Sequence, residues 1–184
     1  MALTRLTRRL TTAMATLALL ALIGCANQNI ESYAREQPTL DLARYFNGKV
    51  TAHGVFQDRS GQVVRRFTVD IEGRWQGNQG VLDERFTYSD GQTDRRVWHV
   101  TKHADDHYTG TADDVVGTAN GRALGNAFQW AYTLKLPVDG KVYEVQFDDW
   151  MYLVDDRVML NRATMSKLGW RLGEVTLSFQ RQTP

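Results

Sequence analysis

Between Val63 and Glu72 the chain alternates strictly. Val63, Arg65, Phe67, Val69 and Ile71 fall on one side; Val64, Arg66, Thr68, Asp70 and Glu72 fall on the other. The same period returns where Leu82, Glu84, Phe86 and Tyr88 interleave with Val81, Asp83, Arg85 and Thr87. It returns again through Asn126, Phe128, Trp130, Tyr132 and Leu134, and through Val175, Leu177 and Phe179. A period of two, apolar on one face and wet on the other, is the signature of a half-buried strand. Turn chemistry separates the runs at Arg59-Ser60-Gly61, Gly77-Asn78-Gln79-Gly80, Ser89-Asp90-Gly91, Pro137-Val138-Asp139-Gly140 and Asp155-Asp156. The spacing predicts an all-β antiparallel meander of about eight to ten strands. Closure removes exposed strand edges, so the expected architecture is an up-and-down, lipocalin-like barrel, with a two-sheet sandwich as the alternative.

Two stretches leave this rhythm. Thr39 to Phe46 is spaced for a short N-terminal helix, with Thr39 as N-cap, Asp41 in the first turn and Asn47-Gly48 as its end. The other is the start of the chain. Arg5, Arg8 and Arg9 form a basic region without acids, and Leu10 to Ile23 is apolar apart from Thr11, Thr12 and Thr16. That run is shorter than the ~20 apolar residues needed to cross a bilayer and fits a signal peptide. It ends in Leu22-Ile23-Gly24-Cys25, which contains the only cysteine of the chain. These four residues resemble the lipobox of bacterial lipoproteins. The resemblance implies cleavage before Cys25 and lipidation of that cysteine, whose thiolate is the strongest side-chain nucleophile available for acylation. Two or more acyl chains anchor a protein stably, where one holds it only marginally. Ala26 rather than aspartate follows, which points to a periplasm-facing lipid anchor in the outer membrane. The expected organisation is 1–24 signal peptide, 25–38 lipidated tether and 39–184 single barrel domain.

Composition narrows this further. Without its first 24 residues the 184-residue chain keeps 160, enough for one domain with a real core. The leader carries three arginines and no acid, so the formal charge falls from +1 to −2. A near-neutral chain has no global pull toward nucleic acid, and none is expected as a partner. With Cys25 acylated, neither disulfides nor a thiolate metal site would be available.

The blocks "YFNGKVTAHGVFQDRSGQVVRRFTVDIEGRW", "LDERFTYSDG", "GTADDVVGTANG", "GNAFQWAYTL", "DDWMYL" and "NRATMSKLGW" are similar, in order and spacing, to those of a domain-of-unknown-function family of bacterial lipoproteins. The resemblance covers nearly the whole mature chain. It implies a small lipocalin-like (calycin-like) β-barrel. It implies no assigned activity and supplies no catalytic residues to carry over.

Candidate chemistry is sparse. His99, His103 and His107 recur at spacing four, but Val97, Trp98, Val100 and Thr101 favour strand over helix, so the three histidines would not line one helix face. A solvent-exposed hairpin is the expectation there, with no metal and no cofactor. Gly117, Gly121 and Gly125 read as a glycine-rich turn or strand bend, since the stretch is polar. In "FDDWMYLV" both faces are largely apolar, so one aspartate is expected near the core, where a carboxylate needs a partner. Glu84 and Arg65 sit on apolar faces; Arg96 shares a face with Trp98 and Val100, and Arg162 with Val158 and Leu160. If that face is the lumen, Trp98, Trp130 and Tyr132 form walls, and Arg96 or Arg162 holds an anionic head group beside Glu84 and Asp149. The competing expectation is a structural ion-pair network in a lumen filled by side chains, as in many small barrels.

No Gly-x-Ser-x-Gly elbow, His-Glu-x-x-His pair or phosphate loop occurs. Glu84 with Asp149 is the only acid–base pair that suggests itself, and no enzyme activity is expected. The function expected from sequence is an envelope lipoprotein that binds a lipid-like, hydrophobic or amphipathic molecule in its lumen. The alternative is a structural or assembly protein with a solid barrel and a protein partner.

Overall fold

Every period-two run becomes a strand in the computed structural model, which describes residues 28–138 and 140–182. The leader, Cys25 and Asp139 lie outside the described residues. The strands are β1 (Gly48–Asp58), β2 (Val63–Gln76), β3 (Gln79–Tyr88), β4 (Thr93–Lys102), β5 (His107–Thr111), β6 (Ala119–Leu124), β7 (Ala127–Val138), β8 (Lys141–Leu153), β9 (Val158–Lys167) and β10 (Trp170–Arg181). Each pairs antiparallel with its neighbour in sequence. β1 closes on β10 through the register Val50↔Arg181 to Asp58↔Gly173, so the sheet is a closed ten-stranded barrel. A sandwich would leave edges; here all ten strands are paired on both sides.

The alternation sets the faces. Val69, Ile71, Leu82, Trp98, Val100, Phe128, Trp130, Leu134, Val145, Phe147, Met159, Met165 and Phe179 are buried inside. The inward set on β8 is Phe147, Asp149, Met151 and Leu153, while Asp148 turns outward to Gln129 and Trp150.

The two barrel ends differ. One is stoppered by α1 (Leu42–Tyr45) and its flanks: Leu40, Leu42, Tyr45 and Phe46 are all buried. The N-cap of α1 is Asp41, not Thr39. The Asp41 carboxylate accepts from Ala43 N–H at 2.9 Å and also meets Lys102 Nζ at 2.9 Å, whereas Thr39 Oγ1 donates to the Gln37 side chain. A charged oxygen fixed by both the helix N-terminus and a lysine outcompetes a hydroxyl. The stopper is tightly seated: a Cβ on Gly73 would lie 1.6 Å from Phe46 O. The Tyr45 hydroxyl lies 2.9 Å from Arg157 O. At the other end the β1–β2, β3–β4, β7–β8 and β9–β10 hairpins leave the barrel open.

Residues 28–38, within the stretch expected as a lipidated tether, lie on the outer wall beside β6–β8. Tyr33 sits against Trp150 and Tyr152 with ring centroids 6.1 and 5.4 Å away, Glu31 pairs with Arg122, and Leu40 N–H donates to Gly125 O at 2.8 Å. Outward aromatics on β8 give this segment an apolar seat that polarity alone did not reveal. No helix among the described residues is long and apolar enough to cross a membrane.

Candidate functional site

The lumen holds a cavity of about 880 Å³ that runs from α1 to the open hairpins. This lies within the ~300–1,000 Å³ typical of small-molecule sites. Its floor is Leu42 and Phe46; its walls are mostly apolar, from Ile71 and Leu82 through Trp98, Trp130 and Phe147 to Leu177. The aromatic wall is ordered by mutual packing. Trp98 meets Trp130 at 5.6 Å and Tyr132 at 5.3 Å edge-on, and Tyr132 stacks on Phe147 at 5.1 Å with a 7° interplanar angle. β7 supplies Phe128, Trp130 and Tyr132 at alternate positions, and its register sets Trp130 opposite Asp149.

A polar cluster interrupts this wall. Glu84 and Arg96 are cross-strand partners on β3 and β4, with Nη1 to Oε2 at 3.9 Å. Arg96 makes its closer pair with Asp114, from the loop between β5 and β6: Nη2 to Oδ2 at 2.8 Å and Nε to Oδ1 at 3.1 Å. The Tyr132 hydroxyl donates to Asp149 Oδ2 at 3.2 Å. Asp149 Oδ1 and Asn161 Oδ1, both on lumen-lining residues, are buried and have no hydrogen-bond partner among the described residues.

The electrostatics follow from this enclosure. Burial pushes the Glu84 carboxyl up to about 7 despite the pull of Arg96, and Asp114 and Asp83 add to the rise. The remaining 15 % exposure of the Glu84 side chain is to the cavity rather than to bulk water. Burial likewise pushes Asp149 up to about 7, against the Tyr132 hydrogen bond and Arg96. Tyr132 is held well above the ordinary phenol range by burial and by Asp149. Burial works against the Arg96 charge, but its hydrogen bonds to Asp114 and the field of Glu84 more than offset that, so it stays charged. One cation therefore faces three carboxyl groups, and the cluster is rich in acceptors.

The lumen gathers Glu84, Arg96, Trp98, Trp130, Tyr132 and Asp149; for Asp149 the spacing had left open which face of β8 points inward. Arg162 is the exception and corrects the sequence reading. It lies on the outside of β9, 65 % exposed, paired with Glu174 at 2.7 Å; Glu174 also holds Arg171 at 2.6 Å. The inward set on β9 is Met159, Asn161, Ala163 and Met165, so the face shared by Val158, Leu160 and Arg162 is the wet one. Exposed Leu160 and half-buried Val158 made that face look like core. Asn161 and Asp114 were missed. Asn161 stands at an inward position of an alternating strand, which was the available signal. Asp114 sits in a loop, where no periodicity points at it. The histidines do not converge: His103 Nε2 lies 2.7 Å from Thr109 Oγ1, and His99 and His107 are exposed on separate strands.

A family profile described as a protein of unknown function, DUF3833, matches residues 19–181. The chain belongs to the DUF3833 family. Among curated proteins none matches this DUF3833 chain. Its fold is similar to that of an S-type phycobiliprotein lyase from Guillardia theta, with a TM-score of 0.60 at 7% identity, covering 85% of this chain and 99% of the lyase. It is also similar to a protein of unknown function from the DUF3598 family of Nostoc punctiforme, with a TM-score of 0.54 at 12% identity, covering 80% of this chain and 51% of that one. At such identities the likeness concerns the barrel and not its chemistry.

Proposed function

We propose that this DUF3833 protein binds a small, mostly apolar molecule in its lumen, as an envelope lipoprotein held to the outer membrane by lipid on Cys25. The observation that carries the binding reading is the cavity of about 880 Å³, floored by α1 and open at one end. A solid barrel serving only as a structural or assembly scaffold would have that space filled. The polar cluster narrows the ligand. Arg96 already spends its charge on Asp114 and Glu84, which leaves acceptors rather than a free cation at the cluster; the other lining cations, Arg65 and Lys167, stand at the open end. The ligand best matched is an apolar body with one N–H or O–H donor, in place of the anionic head group expected from sequence.

Two dyes of similar body test this. N-phenyl-1-naphthylamine offers an aromatic body with one N–H; 8-anilinonaphthalene-1-sulfonate adds an anion. The uncharged dye should bind at least about tenfold more tightly, since ~1.4 kcal/mol of charge repulsion suffices for that ratio. Tighter binding of the sulfonate would overturn the donor-ligand reading, and no binding of either dye, with no apolar molecule retained in native mass spectrometry, would overturn the lumen reading.

One feature favours a second reading. Glu84 and Asp149, both raised to about 7, are in the range useful for proton transfer, which is the requirement of a hydrolase or lyase. Turnover of an ester or lipid panel that is abolished in Glu84→Gln would establish it.

A further inference from the structure

Among the described residues, half of the twelve large apolar side chains left exposed lie on two adjacent hairpins at the open end of the barrel. They are Val138, Val142 and Tyr143 of the β7–β8 hairpin and Leu168, Trp170 and Leu172 of the β9–β10 hairpin. The tips are the most extreme: Leu168 is 86% exposed and Trp170 78%. The two hairpins are neighbours because β8 pairs with β9, and Lys167 Nζ bridges them by lying 4.5 Å over the Tyr143 ring. Val138, Tyr143 and Leu172 also line the cavity, so the exposed patch and the lumen wall are one continuous apolar surface. A stable lone barrel gains nothing from keeping such a patch in water.

The charges on these tips say what covers it. Residues 138–143 and 166–172 carry Lys141, Lys167 and Arg171 against Asp139, with Glu174 just beyond shared between Arg171 and Arg162, which leaves Lys141 and Lys167 without a carboxylate partner among the described residues. A tryptophan and aliphatic tips ringed by lysine and arginine match the boundary between acyl chains and anionic headgroups. We propose that the open end of the barrel docks on an anionic phospholipid surface through the Val138–Val142 and Leu168–Leu172 hairpins. Apolar molecules would then pass between bilayer and lumen without crossing water. Docking is independent of whether the lumen holds the ligand class argued above, and the test below does not use that ligand.

A fluorescent amino acid sensitive to its surroundings is placed at position 168 or, in a second protein, at position 78 in the β2–β3 turn of the stoppered end. The full chain is held in vesicles and mixed with 3:1 phosphatidylethanolamine–phosphatidylglycerol vesicles. Doxyl-labelled lipid is put first in the added vesicles and then in the host vesicles. A leader or lipid anchor alone brings the chain to the host bilayer without favouring the open end, so the contrast between positions decides. In one arrangement or the other, quenching at 168 should exceed that at 78 at least fivefold. It should drop severalfold with phosphatidylcholine in place of the anionic mixture, and again in Val142→Asp/Trp170→Asp. These rim positions are exposed, so the substitutions leave the fold intact. Equal quenching at both positions, no quenching at 168 in either arrangement, or quenching unchanged by the double substitution would overturn the proposal; the second result would leave the patch to a protein partner.

Discussion

Asp149→Asn should make the protein more stable at pH 8 and leave it nearly unchanged at pH 4. The reasoning starts from burial. In the unfolded chain Asp149 titrates near 3.8; in the fold, burial raises it to about 7. Between those values the folded state holds a proton that the unfolded state has lost. Unfolding then releases that proton, so stability falls as pH rises from about 4 to about 7 and is flat above. About three pH units at ~1.4 kcal/mol each makes the group's full contribution about 4 kcal/mol. Glu84 adds a fall of about 3 kcal/mol over about 4.5 to 7 by the same logic; each carboxylate repels the other, so the two sum to less. The asparagine keeps the shape and an oxygen for the Tyr132 hydroxyl but has no proton to lose. Urea unfolding from pH 4 to 8 should show the parent losing stability over that window, with the slope shallower by nearly one proton in Asp149→Asn. The carboxylates with lowered values, such as Asp41 and Glu174, act oppositely, gaining stability as pH rises through a more acidic window, and cancel between parent and variant. Identical slopes in the two proteins would refute the argument, because they would mean that Asp149 is hydrated in the fold.

Other expectations follow from the same contacts. Gly73→Ala would force the added methyl onto Phe46 O, 1.6 Å away; unseating the α1 stopper should cost about 3 kcal/mol or more in urea unfolding. Arg96→Met leaves Asp114 and Glu84 facing an apolar wall and should cost about 3–5 kcal/mol at pH 8, whereas Arg162→Ala, on the outer face, should stay within about 1 kcal/mol and leave dye binding unchanged. Cys25→Ser should leave the precursor uncut and without label from radioactive palmitate; labelling that persists would sink the lipobox reading.

The barrel was legible because one face of each strand must be apolar, and residues such as Phe67, Val69 and Ile71 declare that face without ambiguity. The lumen charges were legible in part: Glu84 and Arg96 stood out among apolar positions, while the spacing left open which of Asp148 and Asp149 faces inward. Where both faces of a strand carry apolar residues, alternation no longer marks the inward one. Leu160 is exposed and Asn161 buried, so the apolar partner of Arg162 pointed the wrong way. Pairing was equally hidden. Nothing in the spacing says that a loop aspartate, Asp114, will reach Arg96 and cancel the charge that made it look like an anion site.

Strand count widens the lumen, and it too has a local cause. An eight-stranded barrel has an interior that its own side chains or one small ligand can fill, and the diameter grows with each added strand. β5 and β6 are the short strands that make the difference, with five and six residues, and they carry Gly110, Ala119, Gly121 and Ala123 where longer strands carry Phe or Leu. The glycine-rich stretch reads as turn or strand bend and is both: Gly117 and Gly125 turn with positive φ, and Gly121 stands in the wall. The glycines of β5 and β6 admit the neighbouring aromatic: a Cβ on Gly110 would lie 2.8 Å from the Trp130 ring, and one on Gly121 2.5 Å from it. Ten strands widen the circumference, the small residues let Trp130 lie against the wall, and the space at the centre stays open. The glycine-rich segment that looked least informative in the sequence thus helps to keep the cavity from closing.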